Sequence, residues 1–227
     1  MIDRVLAKLV EVTSPRNHEA VVLVLHGGAS RGDVVHVSPA QLSVLRMIPT
    51  ARRTARAGRG RLAVLRLLNS YRGWDARHTP VADVTWAIGE VAERYGATPV
   101  GLVGHSLGGR AALLSATRPE VRSVVALNPW LSPADPPVAT TAQVLVVHGL
   151  RDRIAPAARS AAYVEGLGRR VHASYLAVPE GKHAMLRGGA DFDRYAAEFT
   201  AGALLDPAPN CSGPVLSALA GDRYMHP

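Results

Sequence analysis

The sequence predicts a single α/β domain built on a mostly parallel sheet of about six to seven strands, with helices on both faces. Six apolar runs rich in β-branched residues recur along the 227 residues, and such continuous runs are typical of strands buried on both faces. Helix-like segments separate these runs, and this alternation favours right-handed crossovers into a parallel sheet. The length fits one domain of this class with a full hydrophobic core.

The elements can be assigned in chain order from their local patterns. The six expected strands are EAVVLVLHGG, RLAVLRLLNSYRGW, TPVGLVGHS, RSVVALNPW, AQVLVVHGLRD and HASYLAVPEGKH. The five expected helices are SPAQLSVLRMIPTARRTA, PVADVTWAIGEVAERYG, LGGRAALLSATRP, APAARSAAYVEGLG and AMLRGGADFDRYAAEFTAGALL. Ser-Pro is a start signal for the first helix, and a glycine ends the second. The first dozen residues carry a weaker pattern that suits an edge strand or a helix.

One domain accounts for most of the chain, because no internal repeat or second run of elements is visible. We assign residues 1–205 to the α/β domain. Residues 206–227 are rich in proline and small residues, and such a terminal segment is predicted to be a loosely packed tail.

Charge and apolar content argue against several classes of partner. The net charge is +8 and comes mainly from arginine. No aromatic residues that could stack on bases lie within the densest basic segment, so we expect a solvated helix end there and no nucleic-acid partner. No apolar run approaches the roughly 20 residues of a membrane helix, so no membrane insertion is expected. The arginines of this segment are Arg52, Arg53, Arg56, Arg59 and Arg61.

The compartment is predicted from the N-terminus and from the cysteine content. The opening stretch MIDRVLAKLVEV lacks the long apolar region and cleavage site of a signal peptide. Cys211 is the single cysteine and cannot form an internal disulfide, which is consistent with a reducing compartment. We therefore expect a cytoplasmic protein, and its oligomeric state stays open.

Three chemically distinct side chains follow three different expected strands. Ser106, Asp152 and His183 occur in this order, each just after an apolar run. Because ligands bind at the carboxyl ends of the strands in open α/β sheets, these side chains are candidates for one site. Ser106 lies in GHSLG, which matches G-x-S-x-G with a strand before it and a helix after it, as this turn requires.

The three side chains have complementary chemistry for acyl transfer. A serine hydroxyl is a weak nucleophile at neutral pH and needs a base. His183 could take its proton and return it to the leaving group, while Asp152 could hold the imidazole in the required tautomer. The sequence therefore predicts a serine nucleophile that forms an acyl-enzyme.

With these motifs in place, the chain resembles the α/β-hydrolases over roughly residues 20–205. The segment HGLRD resembles the family's acid loop, GKH its base loop, and the early HGG its oxyanion loop. The resemblance implies that the backbone N–H groups of Leu107 and Gly28 form the oxyanion hole, with Ala29 as a substitute for Gly28. It also implies that the family's first two strands are missing or vestigial here.

Each candidate residue also has an alternative role. Ser106 could stand in a packing turn, Asp152 could cap the following helix, and His183 could be a surface residue. Asp135 follows another expected strand and is the rival acid. The other candidate bases are less well placed. His172 precedes the last strand, and His105 lies inside the serine turn. His26 and His148 precede glycines at strand ends.

The pocket is predicted to be open and formed by loops. Arg31, Arg72, Trp74 and Trp130 lie on loops after the strands and are the predicted pocket residues. The segment YRGW resembles a turn of peptidase-like and dienelactone-hydrolase-like members, where Arg72 would tie loops together. Arginine also suits carboxylate recognition, so Arg31 or Arg72 could bind such a group. Only LSPADPPVATTA separates two strands where many lipases insert a lid, so no cap domain is expected.

Three functions are compatible with these observations. The first is a serine hydrolase cleaving carboxylic esters; the second is a thioesterase or acyltransferase of lipid or polyketide metabolism; the third is a non-catalytic hydrolase-like protein. The fold does not distinguish them, although a scaffold has no physical need for all three groups. The expected partner is a small-molecule ester or thioester. No metal or other cofactor is expected, because the histidines and carboxylates lack ligand spacing.

Overall fold

The computed structural model describes residues 6–28, 35–186 and 188–225. Within them an eight-stranded sheet has the order β1-β3-β2-β4-β5-β6-β7-β8. The strands are β1 (Lys8–Thr13), β2 (Ala20–Leu25), β3 (Leu62–Leu68), β4 (Val100–His105), β5 (Val121–Leu127), β6 (Gln143–Gly149), β7 (Ala173–Val178) and β8 (Tyr224–Met225). Only the edge strand β1 runs antiparallel to its neighbour.

The helices cover both faces of the sheet and form two apolar layers. They are α1 (Leu42–Ala57), α2 (Thr79–Tyr95), α3 (Leu107–Leu114), α4 (Ala157–Gly166), α5 (Gly189–Leu204) and α6 (Gly213–Ala220). Met47, Phe192 and Val215 belong to the layer on the side of α1, α5 and α6. Ile88 and Val164 belong to the layer on the side of α2, α3 and α4. The predicted α/β architecture, with six internal strands and helices on both faces, is confirmed.

Two strands extend the sheet beyond the predicted core. β1 pairs with β3 at one edge, as the weak N-terminal pattern allowed, and it is the one described strand that precedes β2. β8 pairs with β7 at the other edge and was not predicted, because two residues carry too short a pattern to be recognised. The strand count of six to seven is therefore corrected to eight among the described residues.

The terminal segment is packed more tightly than the sequence suggested. It forms α6 and β8, and the side chains of Val215 and Ala218 are fully buried. Arg223 donates to the carbonyl oxygen of Gly168, and its own carbonyl accepts from the N–H of Tyr175 in β7. The expectation of a loosely packed tail is thus corrected: one apolar face of a short helix buries enough surface to dock on the sheet.

The fifth helix begins later than predicted. Its expected start at Ala184 falls in a loop, where Met185 has a φ of 52°, and α5 begins at Gly189. The chain between β5 and β6, residues 128–142, contains no helix or strand, so no cap domain covers the carboxyl edge there. No helix in the described ranges is both long enough and apolar enough to cross a membrane.

Candidate active site

Ser106 stands on a strained turn between β4 and α3. Its φ of 53° and ψ of −115° are unusual for a residue with a side chain, and such strain is typical of functional turns. A Cβ on Gly104 would overlap the carbonyl oxygen of Gly108. A Cβ on Gly108 would lie only 2.5 Å from the carbonyl oxygen of His26. The glycines of G-x-S-x-G are therefore required by close backbone packing, and the turn presents the serine at the strand end.

The three predicted side chains meet in one hydrogen-bonded series. His183 Nε2 lies 2.9 Å from Ser106 Oγ, and His183 Nδ1 lies 2.7 Å from Asp152 Oδ2. The side chain of Asp152 is fully buried, and that of His183 is 13% exposed. This geometry lets the imidazole accept a proton from the hydroxyl while its other nitrogen stays bonded to the carboxylate.

The Asp152 carboxylate is held in its charged form by several donors. Burial by itself would raise the pKa of Asp152, but the hydrogen bonds outweigh it and keep the pKa well below its usual range. These bonds involve His148 and His183, as well as the N–H groups of Ile154 and Ala155 on Oδ1 at 2.8 and 2.9 Å. The alternative role of Asp152 as a helix cap is not observed, because α4 begins at Ala157 and Pro156 is its N-cap without a side-chain bond; Asp152 instead orders the loop before the helix while it contacts His183.

His148 is a second imidazole on the same carboxylate. Its Nε2 lies 3.3 Å from Asp152 Oδ2 and 3.0 Å from the carbonyl oxygen of Ala155. Because a carbonyl only accepts, Nε2 carries the hydrogen, and Nδ1 accepts from the hydroxyl of Ser160 at 2.9 Å. His148 and His183 thus both contact Oδ2 of this carboxylate.

Two buried polar residues fix the loop that carries His183. His105 Nε2 donates to the carbonyl oxygen of His183 at 2.8 Å, and burial lowers the pKa of His105 to about 3, so it stays neutral. Asn128 donates to the carbonyl oxygens of Lys182 and His183 and accepts from the N–H of Gly149 at 2.8 Å. Asn128 was not predicted as a site residue, although a polar residue directly after a buried strand was an available signal.

The predicted oxyanion loop packs directly on the serine turn. A Cβ on Gly27 would lie 3.3 Å from Ser106 Cβ, and one on Gly28 would lie 3.0 Å from Leu107 Cδ1. His26 accepts from the N–H of Asn69 and donates through Nδ1 to the Gly27 carbonyl at 2.6 Å. Leu107 is the first residue of α3, where backbone N–H groups have no partner within the helix. Ala29, the substitute donor, lies outside the described residues.

Arg110 joins the two predicted pocket tryptophans and was not predicted. Its guanidinium carbon lies 3.7 Å from the ring centroid of Trp74 and 5.4 Å from that of Trp130, distances that allow cation–π attraction. The same group binds Asp135 at 2.6 Å, with both side chains at least 93% buried. Because Trp130 donates its backbone N–H to the carbonyl of Ser106, this cluster borders the serine turn. The available signal for this cluster was that Arg110 is the only charged residue in the apolar helix α3.

Of the remaining predicted pocket residues, only Arg72 is described. Arg72 donates its backbone N–H to Val35 while the residue is exposed, and Arg31 lies outside the described residues. A groove of about 670 Å³ opens beside His183 instead, bordered by Leu150, Arg153 and Ile154 of the acid loop.

The rival residues have other partners. Asp135 contacts Arg110 and the N–H of Ser132 at 2.6 Å. His172 precedes β7 and contacts the carbonyl of Ala218 at 2.9 Å, at the amino end of the strand. No group of three or more metal-ligating side chains occurs within the described part of the chain.

The fold and this site define an α/β serine hydrolase. A family model described as PET hydrolase-like matches residues 75–199, a span that contains Ser106, Asp152 and His183. The match covers more than half of the chain, which therefore belongs to the PET hydrolase-like family. Among curated protein sequences, none matches significantly.

Solved structures share the fold at low sequence identity. Est1E from Butyrivibrio proteoclasticus is 15% identical, with a TM-score of 0.60 over 85% of this chain and 91% of its own. An α/β serine hydrolase without lid from Xanthomonas campestris is 19% identical, with a TM-score of 0.64 over 84% of this chain and 86% of its own. An α/β serine hydrolase homologue from Coxiella burnetii is 14% identical, with a TM-score of 0.61 over 84% and 89%.

Proposed function

We propose that this protein hydrolyses carboxylic esters of small molecules through an acyl-enzyme on Ser106. The observation that carries the proposal is the continuous series from the Ser106 hydroxyl through His183 to Asp152, with separations of 2.9 and 2.7 Å. These separations are within the reach that general base catalysis needs. A non-catalytic role would leave the strained serine and the buried charged carboxylate without a physical purpose.

The reaction follows from the positions of these groups. His183 Nε2 takes the proton as Ser106 Oγ attacks the ester carbonyl, and the N–H groups of Leu107 and Gly28 stabilise the oxyanion. The imidazolium, stabilised by Asp152, then gives its proton to the departing alcohol and leaves an acyl-serine. Water deprotonated by His183 attacks this acyl group, which releases the carboxylic acid and restores the serine.

An ester is the preferred substrate among the acyl donors that this chemistry accepts. The same acyl-serine would serve a thioesterase or an acyltransferase. Est1E, whose structure is similar, is described as binding ferulic acid, and another similar structure is an esterase domain from Rhodothermus marinus. These descriptions support an ester-cleaving role here, with Arg31, Arg72, Trp74 and Trp130 as the proposed pocket residues.

Labelling with a fluorophosphonate tests the proposal without knowledge of the substrate. We expect a covalent adduct on Ser106, located by mass spectrometry of the digested protein, because only an activated serine reacts at neutral pH. Denatured protein is the control and should not react. An adduct on another serine, or none on the folded protein, would contradict the assignment of the nucleophile.

The open site predicts a preference for short acyl chains. A chain gains about 0.8 kcal/mol for each buried CH₂, but only against a wall of protein, and residues 128–142 form no lid. In a series of p-nitrophenyl esters from acetate to palmitate, measured below micelle formation, kcat/KM should peak at about two to six carbons, the length that two indole rings can cover. A steady rise to palmitate would refute this and indicate a long acyl groove.

A further inference from the structure

A basic groove lies between α1 and α5, on a surface that the proposed reaction does not use. Its volume is about 490 Å³, and we call it the arginine groove. The loop that carries His183 forms part of its wall through Leu186. Its main lining residues are Arg46, Arg52, Arg53, Arg56, Gly189 and Asp193, whose carboxylate pairs with Arg46.

Three of the four arginines have no counter-charge among the described residues. Arg52, Arg53 and Arg56 are exposed, and their guanidinium groups form no ion pair or hydrogen bond with any described residue. Arg61, from the same basic segment, contacts Glu19 at 2.5 Å. The basic segment therefore contains Arg61, which has a structural ion pair, and three arginines whose charge no described residue compensates.

The fourth arginine offers buried donors without an acceptor. Arg46 Nη1 contacts Asp193 at 3.2 Å, and the side chain is 11% exposed, but Nε and Nη2 are buried and have no partner among the described residues. Buried donors normally have an acceptor, because a buried donor without a hydrogen bond costs free energy. Nη2 lies 2.9 Å from the position of a Cβ on Gly189, so the unsatisfied donors are beside the first turn of α5.

The positive charges are also close to one another along the helix. Arg56 follows Arg52 by four residues and Arg53 by three in α1, spacings at which like charges destabilise a helix. Burial and the charge of Arg52 both lower the pKa of Arg66. An anion with two negative charges would relieve this repulsion better than a single carboxylate, and guanidinium forks match the oxygen geometry of a phosphate.

We propose that the arginine groove is a binding site for a phosphate group. Arg46 supplies the buried donors, and Arg52, Arg53 and Arg56 supply the compensating charge, with the N-terminus of α5 favouring the same sign. The phosphate belongs either to a soluble phosphorylated molecule or to a lipid headgroup, which share this chemistry. The site is separate from Ser106, so it stands independently of the proposed hydrolysis.

The test compares two triple variants of equal charge. The groove variant is R52Q/R53Q/R56Q, and the control is R16Q/R169Q/R170Q, whose arginines are exposed and unpaired among the described residues. Binding of inorganic phosphate is measured by calorimetry. Binding to vesicles of phosphatidylcholine, with or without phosphatidic acid, is measured by co-sedimentation. We expect the groove variant to bind at least about tenfold more weakly than the wild type, and the control to bind within about twofold of it.

The probes distinguish the source of the phosphate. Binding of inorganic phosphate that only the groove variant loses supports a soluble ligand. Binding confined to phosphatidic acid vesicles, again lost only in the groove variant, supports a headgroup. Equal weakening in both variants would mean a general effect of net charge and would overturn the proposal, as would the absence of binding by the wild type. Unchanged far-UV circular dichroism and hydrolysis of p-nitrophenyl acetate verify that the groove variant is folded.

Discussion

Replacing Ser106 with alanine is expected to abolish hydrolysis, with a fall in kcat on the order of 10⁶ for p-nitrophenyl acetate. The substitution removes only the hydroxyl group, whose oxygen lies 2.9 Å from His183 Nε2. Without it no acyl-enzyme can form, while the N–H groups of the turn and the binding surface remain. Steady-state kinetics of both proteins, with contaminating esterase excluded by affinity purification in parallel, measure the effect.

Ser115 provides a matched control for this substitution. It is 2% exposed, follows the last residue of the same helix α3, and its hydroxyl has no hydrogen-bond partner. Ser115→Ala should therefore keep kcat within about twofold of the wild type, because no interaction is lost. If Ser106→Ala retained appreciable turnover while the protein remained folded, the nucleophile would have to be assigned elsewhere.

Asp152→Asn is expected to lower kcat by about 10³–10⁴. Oδ1 accepts two backbone N–H groups, from Ile154 and Ala155, so the asparagine oxygen should occupy that position. Its NH₂ group then takes the place of Oδ2 and faces His183 Nδ1. The imidazole must accept there, which moves its hydrogen to Nε2 and leaves no acceptor for the proton of Ser106. Steady-state kinetics on p-nitrophenyl acetate test this loss.

Asp135→Asn is the control that shows whether the loss of kcat in Asp152→Asn is specific to that position or follows from removing any buried carboxylate. Asp135 contacts Arg110 at 2.6 Å, and the two side chains are 4% and 7% exposed. Breaking a buried pair commonly costs about 3–5 kcal/mol of stability, so we expect a lower midpoint in urea but a kcat within about tenfold of the wild type. A folded Asp135→Asn variant without activity, together with an active Asp152→Asn variant, would instead make Asp135 the acid.

The sequence pattern was sufficient to predict those elements whose structure is decided by residues close together in the chain. The six internal strands were predicted because strands buried on both faces must be apolar at every position. The serine turn was predicted from its G-x-S-x-G spacing; Gly104 is required by the backbone of Gly108 within the turn, whereas Gly108 is required by the distant backbone of His26. The order of strand-end residues then placed Asp152 and His183 at the same edge of the sheet.

Interactions between distant segments were beyond the reach of such patterns. Asn128 joins β6 to His183 in the base loop, which lies 55 residues after Asn128, and Arg110 joins two tryptophans from separate loops. The terminal segment was judged by its proline and small residues, yet α6 is stabilised by the surface it meets. None of these outcomes depends on a local propensity.

The sequence by itself determined the class of fold and the serine turn, because these follow from apolar periodicity and from the spacing of G-x-S-x-G, and the positions of Asp152 and His183 after strands made them candidates for the site. Only the tertiary structure decided which acid meets His183, how Asp152 is held between two imidazoles, and where the basic segment gathers into a groove. Those relations depend on how strands and helices far apart in the chain are aligned, and this alignment is set by the packing of the whole core.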